Sequence, residues 1–153
     1  MQGRKDSGIS PVVATVILVA VAIVIAIAVA FWASGLVGIF TRFEKLEILS
    51  AYQDPTNPAR IVVMVRNTGS SRTSITEVVI NGVNVGQPGG ACDVEVGGTM
   101  IVTITTSGLM AGVTYEVLLK TSGGKQYPTA VLAHSGNTGG IPRINNVGCA
   151  PPA

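Results

Sequence analysis

Side chains that could do chemistry are few in this chain, and their spacing favours structure over catalysis. His134 is the sole histidine and lies in a Gly/Ser-rich stretch, with no carboxylate or nucleophile placed to complete a catalytic set. Asp93 and Glu95 alternate, which puts both carboxylates on one face of a strand. Two acids beside Gly97-Gly98 fall short of the roughly six to eight oxygens that calcium takes, so the pair is at most a weak cation site. The run Gly86-Gln87-Pro88-Gly89-Gly90 has neither the lysine nor the strand-to-helix setting of a phosphate loop. These patterns give no expectation of an enzyme, a metal or a cofactor.

The covalent reaction the sequence does point to is thiol oxidation. Cys92 and Cys149 are far apart, and neither has a second Cys or a His at metal-ligand spacing. A single disulfide is the simplest reading for an extracytoplasmic domain, with two independent buried thiols as the alternative. Closing a loop of this length contributes ~4 kcal/mol in the chain-entropy model. Charged residues make up only 12% of the chain and the net charge is +2, which gives no support to nucleic acid as a partner. No Asn-X-Ser/Thr sequon is present, so the common N-linked glycan has no acceptor.

All of these residues lie behind one long apolar element. From Ile9 to Thr41 the chain carries no charge; Asp6 precedes the run and Arg42 ends it. As a helix, Ile9 to Phe40 would be roughly 48 Å long, well beyond the ~30 Å hydrocarbon core of a bilayer. A secretory signal peptide would use Arg4 and Lys5 as its basic region and Ala28-Val29-Ala30 as its cleavage site. Its apolar core would be only ~7 to 15 residues long, whereas this run continues through Phe31, Trp32 and Leu36. An uncleaved anchor is the next reading, with Arg4 and Lys5 cytoplasmic and the following domain outside.

Pro11 falls in the first helical turn, where a missing N–H costs nothing, and Ser10 before it is a favourable cap. The next proline is Pro55, so one helix over residues 9–50 is expected. A shorter version ends near Lys45 and switches to a first strand near Leu46; Phe43, Leu46 and Leu49 recur at helical spacing among Arg42, Glu44, Lys45 and Glu47. Every fourth residue from Ala22 gives Ala26, Ala30, Ser34 and Gly38, a ridge of small side chains that lets helix backbones approach closely. The other faces are crowded with Val and Ile. A helix apolar all round must be buried, in lipid or among other helices.

The junction Lys5-Asp6-Ser7-Gly8-Ile9-Ser10-Pro11-Val12-Val13 resembles the archaeal type IV pilins, within the archaeal pilin and archaellin superfamily that carries class III signal peptides. The resemblance is specific from Lys5 to Phe40 and general beyond it. It implies cleavage between Gly8 and Ile9 by a prepilin peptidase on the cytoplasmic side, making residues 1–8 a leader and leaving the helix on the mature chain. It further implies a precursor held in the cytoplasmic (inner) membrane. The pilus assembly machinery would then build a homopolymer whose helices bundle at its centre and whose β-sandwich heads serve surface adhesion. Bacterial type IV pilins carry glutamate at the fifth mature position, here Val13, and its absence favours the archaeal branch. Two rivals stand beside this reading: an archaellum-like swimming filament, and a monomeric single-pass membrane protein displaying a β-sandwich as a binding module.

Behind the helix, turns and short alternating runs dominate over residues 51–153. Expected strands are Ile61–Arg66, Ile75–Ile80, Val83–Gly86, Val94–Val96, Met100–Thr106, Val113–Lys120 and Gln126–Leu132. Asn81-Gly82 between apolar runs signals a type I′ hairpin. Val113, Tyr115, Val117 and Leu119 alternate with Thr114, Glu116, Leu118 and Lys120, and Met100, Val102 and Ile104 with Ile101, Thr103 and Thr105, so each strand is expected to turn one face to a core. The stretch His134–Ala153 shows no periodicity and reads as a tail pinned only by Cys149. The expected class is α+β, a long apolar N-terminal helix followed by an all-β head in an immunoglobulin-like sandwich.

Overall fold

The computed structural model describes residues 11–136 and 140–153. Gly8 and Ile9, the expected cleavage junction, lie outside the described residues, as does Ser10. The chain divides into a helical unit ending at Thr41 and a β unit from Arg42 to Ala153. The class is α+β.

Helix α1 runs Pro11–Thr41. Val and Ile are modest helix formers in water, but in apolar surroundings each backbone N–H and C=O must be satisfied within the segment, which leaves the helix as the solution. The Thr15 hydroxyl follows the same rule and donates to the Val12 carbonyl at 2.8 Å. The helix stops at Thr41, not near Lys45 or Ser50 as the sequence suggested. Backbone groups of the next residues are bonded to the β unit instead. Phe43 N donates to Ser70 Oγ at 3.1 Å, and Lys45 O accepts from Thr68 N at 2.8 Å and Gly69 N at 3.1 Å. Gly69 is required here, since a Cβ on it would lie 2.5 Å from Phe43 O and 2.7 Å from Lys45 N.

The strands are β1 Leu46–Gln53, β2 Arg60–Asn67, β3 Thr73–Ile80, β4 Asn84–Gly86, β5 Asp93–Val94, β6 Thr99–Ser107, β7 Thr114–Thr121, β8 Gln126–Leu132 and β9 Arg143–Ala150. One sheet has the order β1-β2-β6-β9 and the other β4-β3-β7-β8, with β5 paired to the start of β3. All the ladder pairs are antiparallel. Val63, Val65, Val102 and Ile104 from the first sheet and Val78, Ile80, Val117 and Leu119 from the second are buried in one shared core. The expected alternation is realised at Tyr115, Val117, Leu119, Val102 and Ile104, whereas Met100 is half-buried and Val113, just before β7, is exposed. The β3–β4 turn has Asn81 at φ 50° and Gly82 at φ 69°, both positive as a type I′ turn requires.

The helix over residues 9–50 is corrected, because Leu46–Gln53 is a strand, as the alternative of a first strand near Leu46 had it. The supposed loose tail is corrected too: it contains β9, laddered along β6 from Ile101↔Ala150 to Ser107↔Arg143. Two buried amides fasten the ends of the sandwich. Asn67 Nδ2 donates to Ser71 O and Val94 O, both at 2.9 Å, while its Oδ1 accepts from Gly69 N at 2.9 Å. Gln53 Nε2 donates to Pro58 O and Ser135 O at 2.8 Å, and its Oε1 accepts from His134 N at 2.8 Å and Ser135 N at 3.1 Å. Each amide does for irregular backbone what a ladder does for strands.

Candidate functional site

Within the β unit the residues with chemical potential are occupied by structure. His134 is exposed, and its backbone N–H is spent on Gln53. Asp93 sits directly across the ladder from Ser74 and accepts hydrogen bonds from the Ser74 hydroxyl and the Arg72 guanidinium. Arg72 Nε also reaches Glu95 Oε1 at 3.3 Å, so one guanidinium lies between the two acids that spacing had marked as a weak cation site. The Ser74 hydrogen bond first, then Arg72, hold the Asp93 carboxyl below its ordinary value. Asp54 is lowered in the same sense, chiefly by the Thr56 hydroxyl and backbone N–H, with a smaller contribution from Arg60. Among the described residues no group of three or more His, Cys, Asp or Glu side chains could hold a metal ion.

Cys92 and Cys149 are joined in a disulfide with Cα atoms 5.4 Å apart. The bridge spans 57 residues and ties the approach to β5 to the C-terminal end of β9. Cys149 lies opposite Val102 in the ladder, which puts the bridge beside the core.

The surface left without a partner is α1. From Pro11 to Leu36 it is long and apolar enough to cross a membrane, and none of that apolar window is buried within the chain. Its large side chains from Val12 to Trp32 are exposed, between 50% at Val13 and 76% at Phe31. Ala22, Ala26, Ala30 and Ser34 are exposed on the four-residue ridge, and Gly38 continues the spacing inside the last turns. On the N-terminal half, Thr15, Val16, Val19, Ala20 and Ile23 line a shallow, open groove between side chains. Phe31 and Trp32 stand roughly 31 Å along the axis from Pro11 at 1.5 Å per residue, about one bilayer core away. What the helix can do is therefore physical: pack against lipid, or against helices with the same character.

Sequence reasoning missed Gln53 and Asn67. An alternating strand whose inward position holds an amide, next to a Pro/Gly/Asn turn, was the available signal in both cases. No protein-family model matches the chain, and no curated protein sequence matches it.

Proposed function

We propose that the chain is the structural subunit of an extracellular type IV pilus-like filament. It is held in the membrane as a precursor by its N-terminal helix, polymerises through that helix and presents the β head for surface adhesion. The observation that carries this reading is the helix itself: 31 uncharged residues, apolar on every side, exposed from Pro11 to Gly35, and ridged with small residues at four-residue spacing. Each Val or Ile taken out of water contributes about 1.5–3 kcal/mol, so an unpartnered helix of this kind is unstable in water and strongly stabilised in a bundle. The small ridge supplies the close backbone approach that association among apolar helices needs. Disulfide and sandwich suit a head facing an oxidising exterior. The strand orders β1-β2-β6 and β4-β3-β7-β8 also support an immunoglobulin-like description of the head, with β9 taking the fourth place in the first sheet.

Electron microscopy of material sheared from the cell surface tests the proposal. Fibres composed of this chain are the expected result, and a chain found only in membranes as separate molecules would refute it. One observation favours that second reading, a monomeric single-pass anchor: the Phe31–Trp32 pair stands where an aromatic interface belt would lie.

A further inference from the structure

The face of the β1-β2-β6-β9 sheet turned away from the core is not the polar surface usual for a solvated sheet. Burial alternates along β2 and, from Ile101 onward, along β6, and the ladder registers set the outward side chains in rows across the strands. Tyr52, Val62, Thr103 and Gly148 form one row; Ser50, Met64, Ile101 and Ala150 form the next. Neither row holds a charge. Charge resumes on both sides, at Arg60 beyond the first row and at Glu47 and Arg66 beyond the second.

The rows are asymmetric in size. Tyr52 stands 46% exposed at the β1 edge, while the opposite edge carries Gly148. Nothing within the chain requires glycine there: its φ is not positive, and a Cβ would meet no atom within 4 Å. A strand glycine accompanies a bulge or the close approach of another surface; the β9 bulge lies three residues away at Asn145, while Gly148 itself is in regular register with Thr103 and leaves room for an approaching side chain.

We propose that this face pairs two copies of the chain about a two-fold axis running along the strands. That operation lays Tyr52 of each copy over Gly148 of the other and Met64 over Ile101, and it sets Arg66 opposite the uncharged Thr99. A two-fold running across the strands would instead set Arg66 against Arg60 of the other copy and bury like charges. Charge and side-chain size thus select the same operator, and aligned packing of two sheets at about 10 Å is a standard arrangement. The contact is isologous. A polar helical polymer repeats by a screw operation with no two-fold, so in a filament this contact joins neighbouring filaments and bundles them. That consequence rests on the filament reading; the pairing itself does not.

The test uses the full chain in detergent micelles, with a photo-cross-linking phenylalanine analogue at position 52. The expected product joins position 52 to the Val147–Ala150 segment. The β1 and β9 edges of one sheet are roughly 14 Å apart, so that link forms only between molecules. Cross-links confined to the apolar helix or to other surfaces would overturn the proposal. Gly148→Lys, which the open space accommodates, should weaken pairing by about tenfold or more, while Ala130→Lys on the other sheet should not. The exchange Tyr52→Gly with Gly148→Tyr should restore pairing, and a dimer indifferent to Gly148→Lys would also refute the contact. Normal filaments without the 52–148 link sink the pairing alone, whereas the link without filaments sinks the polymer alone.

Discussion

Asn67 shows how one residue can decide the stability of a region in which it makes no apolar contact of note. Fully buried, it donates twice and accepts once, all to backbone groups of the β2–β3 and β5 segments. Asn67→Ala leaves those groups buried without partners, and each such loss costs about 1–3 kcal/mol in full, more than the net worth of a hydrogen bond. With three groups affected, a destabilisation of about 3 kcal/mol or more is expected in urea unfolding of the β unit, and a change below ~0.5 kcal/mol would show that those groups find other partners. The two lowered carboxyls, Asp54 and Asp93, set the acid response. A carboxyl whose folded value is depressed contributes stability that is present above its unfolded value and is lost as pH falls through the folded one. Unfolding midpoints should therefore be flat from neutral pH down to near the ordinary value of 3.8 and fall below it. Asp93→Asn should flatten the acid limb. None of these roles announces itself in the sequence, because Gln53 finds Ser135 across 82 positions and Asp93 finds Arg72 across 21.

At the scale of elements, the helix carries a sharp prediction. Ala26→Leu together with Ala30→Leu adds bulk to the small ridge and changes neither charge nor helical propensity in any large way. On the proposed filament reading, filaments should be lost from sheared material while the chain remains in the membrane fraction; filaments at unchanged yield would show that the ridge is not a packing surface. This helix was legible because its signal is an uninterrupted absence of charge. β9 escaped reading altogether and β1 was read only as the alternative to continued helix; the two lie at the edges of one sheet, and both are bulged. In β1 the register slips between Ile48 and Ser50, so Leu49 breaks the two-residue alternation and leaves Leu46 and Leu49 at a helix-like spacing of three. In β9 the partner register slips between Thr105 and Thr106, and Asn145-Asn146, poor strand formers, interrupt the inward series of Ile144 and Val147. The regular interior strands β2, β6 and β7 were readable for the converse reason: a two-residue period with one buried face survives intact in the sequence.

For the whole molecule, the boundary between the apolar helix and the β unit is set by hydrogen bonds and not by hydropathy. Charge begins at Arg42, but the β ladders begin only at Leu46. Between them, Phe43 exchanges two hydrogen bonds with Ser70, Glu44 accepts from the Thr121 hydroxyl at 3.1 Å, and Lys45 O serves Thr68 and Gly69. Residues 43–45 thus belong energetically to the β unit, although they have no regular secondary structure. Two shortened chains separate this view from one in which the unit starts at its first strand. A chain beginning at Arg42 keeps every one of these bonds, and calorimetry should find its β unit unfolding at the same temperature as in the full chain in detergent. A chain beginning at Leu46 loses all five; at about 0.5–1 kcal/mol net each it should be less stable by about 2.5–5 kcal/mol. Its amide exchange should quicken first at residues 68–70, whose N–H groups lose their acceptors. Equal stability of the two shortened chains would place the boundary at Leu46 and reduce residues 42–45 to a passive connector.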